Sequence, residues 1–276
     1  MTLWSKVGVQ SARIAVSKSY GRDIFELDER RYLSSKNVID DSTGDSIIRI
    51  CGTSEDCAVV NVVESWPQRL ADLGLRVSTG PVVTFRARKF LLDEHDGDES
   101  VPLLSVFNIR AFETVWPIRH RKHPIAFKHC ADSLRLLVPS RNYVLLRRFS
   151  AKEEFRRLTA SCYLAADSTT LFLALENHLN YVYHFNRDLT IDETFGLAGL
   201  FNSALLDKYF RTISGNTQVN ATELRTMPFP ALAVVSRIGR SIRDLPSRTG
   251  LEVERIVLEE LGVNGSLGRH LLTLAS

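Results

Sequence analysis

The spacing of apolar residues divides the chain into a strand-like middle and a helical C-terminal stretch. IIRI at 47–50 reads as a short strand, and SEDCAVVNVVESW at 54–66 carries apolar residues at helical spacing behind Ser54 as a cap. A second short helix is expected after Pro67. LRVSTGPVVTFRARKFL at 75–91 predicts two extended segments broken at Ser78-Thr79-Gly80-Pro81. From 101 to 149, short apolar runs punctuated by Pro102, Pro117, Pro124 and Pro139 predict strands and loops that end in the strand NYVLLRRF. Ser150-Ala151-Lys152-Glu153 has the form of a capping box, which predicts a short helix there. Residues 171–185 predict a strand pair around Glu176-Asn177-His178. The proline-free stretch from Ile191 to Ile213 is the longest helix signal, with a bend near Asn202, and after Pro230 three more helical patterns follow at 231–245, 249–261 and 266–274.

Composition narrows this to a protein of 276 residues, 44% hydrophobic, with enough apolar content for one large domain or two ordinary ones. No apolar run approaches the roughly 20 residues of a membrane span, and the N-terminus has no signal-peptide pattern, so a cytoplasmic protein is expected. Cys51, Cys57, Cys130 and Cys162 are scattered without a CxxC pair and read as reduced thiols. Net charge is only +3, yet 12 Lys/Arg face 4 acids between Arg110 and Arg157, a surplus of +8. A positive middle on an otherwise acidic chain suits a polyanion, although the same residues also suit ordinary solvated faces.

The densest polar stretch is SGNTQVNATEL, 214–224. Asn220 and Glu223 have the spacing of a helix cap, and Gly215 suits the left-handed stop of a helix ending near Ile213. Asn216, Thr217 and Gln218 remain. Side-chain amides match adenine edges and hydroxyls bind phosphates, so the loop suits nucleic acid; it also suits a plain polar turn. Two metal readings fail on spacing. The acidic loop DEHDGDES (93–100) lacks the ligand order of an EF-hand, and His120, His123, His129 and Cys130 fit no common zinc pattern.

Four stretches in order, LGLRVSTGPVVTFRARKFL (73–91), YVLLRRFSAKEEFRR (143–157), LENHLNYV (175–182) and LAGLFNSALLDKYFRTISGNTQVNATELRTMPFP (197–230), resemble successive signatures of the N6-adenine DNA methyltransferases of type II restriction-modification systems. The resemblance runs from about 45 to 240 and falls in the region C-terminal to their catalytic domain, where the DNA target is recognised. It implies an α+β fold with a strand-rich recognition domain at 46–230, a helical C-terminal part at 231–276, and a lead-in or tail of a missing catalytic domain at 1–45. The chain has no Pro-Pro dipeptide for the family's catalytic motif, and TFGLAG (194–199) sits inside a helical pattern. The expectation is therefore a fragment or subunit that is not active alone. No cofactor is expected in it; S-adenosylmethionine would sit on the missing catalytic domain.

The implied partners are double-stranded DNA and a catalytic methyltransferase domain or subunit, with no membrane. Arg147, Arg148, Lys152, Arg156 and Arg157 would neutralise phosphates, and Ser78, Thr79, Asn177, His178, Asn216, Thr217 and Gln218 would reach bases or grooves. Tyr181 and Tyr183 are expected to pack. Two alternatives stand beside this reading. One is a metal-dependent restriction nuclease using Asp93, Glu94, Asp96, Asp98 and Glu99 with Lys89 or Lys122. The other is an interaction module whose C-terminal helices, including LEVERIVLEEL, dock on a catalytic partner.

Overall fold

Strand Tyr143–Arg147 lies at the centre of the structure, a computed structural model that describes residues 13–16, 31–40, 47–118, 123–151 and 153–276. Most of the segment expected as a lead-in at 1–45 lies outside the described residues. Tyr143, Val144, Leu145 and Leu146 are all buried, and alternation sends them to two different cores. Val144 and Leu146 join the helices on one face. Tyr143 and Leu145 join residues of a second sheet on the other. An unbroken apolar run is what a strand covered on both faces requires.

The sheet containing this strand runs in the order Leu75–Thr79, Leu179–His184, Tyr143–Arg147, Ala160–Tyr163, Phe112–Thr114, Ile109–Arg110. Its neighbours are antiparallel except for the parallel pair Phe112–Thr114 and Ala160–Tyr163. A five-stranded sheet runs Leu137–Pro139, Phe172–Leu175, Ser100–Leu104, Ala126–Lys128, Leu91–Leu92. Leu104, Val138, Leu173 and Leu175 from this sheet share an apolar cluster with Tyr143, Leu145, Tyr163 and Leu179 from the first. The strands predicted around Glu176-Asn177-His178 both form, at Phe172–Leu175 and Leu179–His184, but each belongs to a different sheet. The three residues between them carry the chain from one layer to the other.

Helices cover the far face of the larger sheet. The predicted long helix is two, Ile191–Asn202 and Ala204–Ile213, because Ser203 leaves the helical conformation and its hydroxyl accepts from the Leu206 amide at 3.1 Å. Helix Leu232–Arg243 crosses the first of these at backbone contact: a Cβ on Gly196 would stand 1.9 Å from the Val235 carbonyl oxygen, and one on Gly239 1.7 Å from that of Asp192. Val235, Ile238 and Ile242 enter the same apolar cluster as Phe201 and Val144, so helices on both sides of Pro230 share one core. Helix Gly250–Glu260 adds Glu254, which is buried and accepts from the amides of Ala204 (2.5 Å) and Leu205 (3.2 Å). It supplies acceptors to the first turn of a neighbouring helix. The architecture is α+β, with helices toward the C-terminus.

Local expectations yield at several points. Helix Ser54–Glu64 is capped by Thr53, whose hydroxyl accepts from the Asp56 amide at 3.0 Å, and not by Ser54. After Pro67 the chain forms strand Gln68–Arg69, paired with Pro228–Phe229, in place of the expected helix. Beyond the Ser78–Pro81 break, the second half of 75–91 is turns, the 3-10 turn Arg88–Phe90 and the short strand Leu91–Leu92. No helix starts at Ser150: the Ser150 amide donates to the Thr217 carbonyl at 3.1 Å, and Glu154 rather than Glu153 accepts from the Ala151 amide at 2.8 Å. Gly215 is not left-handed; Ser214, in an extended conformation, ends the helix.

The helix packing carries two testable consequences. Gly196→Ala and Gly239→Ala should each lower the unfolding free energy by about 1–3 kcal/mol or more, because backbone sits where the methyl must go; chemical denaturation measures this, and unchanged midpoints would rule out the close crossing. Burial pushes the Glu254 carboxyl from its ordinary 4.5 up to about 7. The folded state then holds a proton that the unfolded chain releases, so this contribution is present below about pH 4.5 and is lost as pH rises to about 7. Measured against Glu254→Gln, the unfolding free energy of the unaltered protein should decline across that window, whereas parallel curves would contradict the assignment.

Candidate nucleic-acid interface

All four sequence stretches meet at one end of the larger sheet. Past Arg147 the central strand keeps its direction without its sheet partner. The Arg148 amide donates to the His178 carbonyl at 2.9 Å, and the Val219 amide donates to the Arg148 carbonyl at 2.7 Å. Phe149 bridges to Gln218 in antiparallel fashion. Residues 148–150 are thus held between 176–178 on one side and 217–219 on the other. The turn at Gly80 closes the arrangement: its amide donates to the Leu179 carbonyl at 2.9 Å, and a Cβ there would stand 2.2 Å from the Glu176 carbonyl oxygen. Only glycine permits that approach.

Buried side chains lock these pieces together. The Asn180 amide, fully buried, accepts from the Thr79 hydroxyl at 2.9 Å and donates to the Val219 carbonyl at 2.6 Å. Arg157 is 2% exposed. Its guanidinium donates to the Ser150 hydroxyl (3.3 Å), the Ser214 carbonyl (3.3 Å) and the Asn216 carbonyl (2.5 Å). The Asp207 carboxylate accepts from the amides of Arg157 (2.6 Å) and Leu158 (3.0 Å) and pairs with Arg211 at 2.7 Å.

The residues expected to meet phosphate divide accordingly. Arg157 is a correction: every nitrogen of its guanidinium serves the interior, which leaves it no phosphate role. Lys152 lies outside the described residues. Arg147, Arg148 and Arg156 are half-buried, and each donates to a backbone carbonyl, of Ile109 (2.5 Å), Asn177 (3.1 Å) and Leu274 (2.9 Å) respectively. The second Arg148 terminal nitrogen stands 3.4 Å from the Gln218 amide oxygen.

The residues expected to reach bases also separate. Asn216 and Thr217 are exposed, and Asn177, His178 and Gln218 are half-buried. Ser78 and Thr79 are also half-buried, but their hydroxyls are engaged: that of Ser78 lies 3.5 Å from the Tyr183 hydroxyl, and that of Thr79 donates to Asn180. Tyr181 and Tyr183 stack with ring centroids 5.4 Å apart and pack against the inter-sheet cluster, as expected.

Several features of the site were not foreseen. Phe107 (40% exposed) and Phe149 (43% exposed) line an open cleft with Val106, Arg147, Glu154 and His178. The His178 ring meets Phe149 edge-on at 5.1 Å, and its Nδ1 stands 3.3 Å from the Glu176 carboxylate. Glu176 is buried, and burial pushes its carboxyl above the usual range while the neighbouring His178 and His123 act in the opposite sense. Val82 pairs with Glu176, and the loop that follows exposes Phe85, Arg86, Arg88 and Lys89. These cations fall outside the +8 window at 110–157. A phenylalanine beside arginine in RRFS and TFRARK was the available sequence signal for Phe149 and Phe85, since aromatics and arginine are both enriched at interfaces; Phe107, in SVFNIR, had no such neighbour.

Among the described residues, no group of three or more His, Cys, Asp or Glu could hold a metal ion, and no helix is long and apolar enough to cross a membrane.

No protein-family model matches the chain. It is 34% identical over 224 residues to the type II methyltransferase M.PstI of Providencia stuartii, covering 81% of this chain and 44% of that protein. It is also 32% identical over 232 residues to the type II methyltransferase M.BsuBI of Bacillus subtilis, covering 83% and 45%. The chain thus spans less than half the length of these curated relatives. The type IIG restriction endonuclease BpuSI overlaps 81% of the chain and 33% of its own at a TM-score of 0.47 and 10% identity, a likeness too low to bear on function.

Because Arg157 answers three acceptors in the interior, Arg157→Ala should lower the unfolding free energy by roughly 3 kcal/mol or more, and Arg148→Ala by about 1 kcal/mol or less. Chemical denaturation of both variants checks this, and the reverse order would show that the loop does not depend on Arg157.

Proposed function

We propose that this chain is the DNA target-recognition part of an S-adenosylmethionine-dependent N6-adenine DNA methyltransferase of a type II restriction-modification system. The observation that carries this reading is the convergence of the four family-like stretches on one exposed edge, in a chain similar over 81% and 83% of its length to two type II methyltransferases. Residues 46–230 form the reader and 231–276 its helical support. The cofactor and the methyl transfer belong to a catalytic domain or subunit acting beside it in the cytoplasm, and this chain is not active alone.

The division of labour follows from the chemistry. Arg147, Arg148 and Arg156, together with the exposed Arg86, Arg88 and Lys89, attract the phosphate backbone and set the register. Asn177, His178, Asn216, Thr217 and Gln218 meet base edges from two loops whose backbones are both bonded to residues 148–150. Rigid loops matter because discrimination between bases comes from hydrogen bonds that tolerate little misplacement.

Duplex DNA binding by the chain at several salt concentrations, followed by selection from a random pool, tests this. Enrichment of one short motif and affinity falling as salt rises are expected. Replacing Arg86 and Arg88 by Ala should lower the slope of log affinity against log salt by about 1 for each phosphate that is no longer neutralised. Absence of duplex binding at low salt, or a slope untouched by these changes, would remove the reading.

A further inference from the structure

The cleft between Phe107 and Phe149 contains one polar arrangement that target reading in general does not require: a half-exposed imidazole tied to a buried carboxylate. Glu176 follows strand Phe172–Leu175 at the crossing between the two sheets. Its backbone is clamped by Val82 and by the close approach of Gly80. The carboxylate therefore has a fixed position. His178 lies two residues on, with Nδ1 3.3 Å from that carboxylate and its ring edge-on to Phe149, and it lines the cleft. Packing on two sides fixes the tilt of the ring. With Nδ1–H donated to Glu176, the neutral ring leaves Nε2 as a hydrogen-bond acceptor.

We infer that His178, positioned by Glu176, reads an exocyclic amino group on a base edge in the cleft between Phe107 and Phe149. This rests on the target-recognition reading above. The chemistry is shared by the N6 amino group of adenine and the N4 amino group of cytosine, both presented in the major groove. A base seated against the phenyl rings shields that hydrogen bond from water, which strengthens it and penalises a base that lacks the donor. The charged and titratable groups around the ring are Glu176 from its own loop, Arg147 and Arg148 from the central strand and its continuation, Glu154 from the following turn, and His123, whose charge acts on Glu176.

The test uses the full chain and the motif selected from the random pool. His178→Ala and Glu176→Gln should each relax the preference at one and the same base pair by about tenfold, while affinity for unrelated duplex changes less than about twofold. Replacing adenines of the motif one at a time by purine, and cytosines by the 4-deamino pyrimidinone, should weaken binding of the unaltered protein about tenfold at that position and leave His178→Ala indifferent. Which analogue acts tells adenine from cytosine. Should Glu176→Gln fail to fold, His178→Ala and the analogues decide the matter alone. A selected motif whose every position is read equally well by His178→Ala overturns this inference and leaves the target-recognition reading intact; a chain that selects no motif overturns both.

Discussion

A cation buried in a protein interior has to be surrounded by acceptors, and the exposed edge of this protein depends on how Arg157 meets that demand. Its three guanidinium nitrogens donate to Ser150 and to the carbonyls of Ser214 and Asn216. Loop 214–217, polar and without regular structure of its own, is thereby fixed from behind. Asp207 holds the backbone of Arg157 and is itself paired with Arg211, so the cation is neutralised nearby without surrendering its donors.

The same logic recurs one layer out. Asn180, buried beneath the three loops, joins Thr79 to Val219, and the Gly80 turn presses on the Glu176 backbone. The layered fold supplies the platform: the central strand is covered by helices on one face and by the smaller sheet on the other, and its end emerges between two loops that pair with it. Flexible polar side chains discriminate poorly. Here they project from backbone that is bonded on both sides, which suits recognition by hydrogen bonds.

The regions of the fold that could be foreseen were those governed by local periodicity. The buried strand at 143–147, the strands flanking Glu176–His178, and the C-terminal helices at 232–243, 250–260 and 265–275 all stand where apolar spacing put them. Expectations failed where a local preference competed with a distant partner. Ser150 had the spacing of a helix cap, but its amide is taken by Thr217, 67 positions away, and its hydroxyl by Arg157. Arg157 looked like its neighbours in a basic run, and nothing in the run marks which cation turns inward. Phe107 and Phe149 were not singled out in the sequence and are walls of a cleft.

What the sequence by itself determined is the strongly periodic elements, the surplus of cations in the middle of the chain, and four ordered stretches resembling one family, because periodicity, charge and wording are all local properties. Which of those stretches touch, and which side chains reach the surface, was decided only by the tertiary structure. Hydrogen bonds such as Arg157 to Asn216 and Asn180 to Val219 join residues far apart in the chain. Their partners are chosen by the packing of two sheets and a helical layer, and the exposed edge where the four stretches meet exists only once those layers have met.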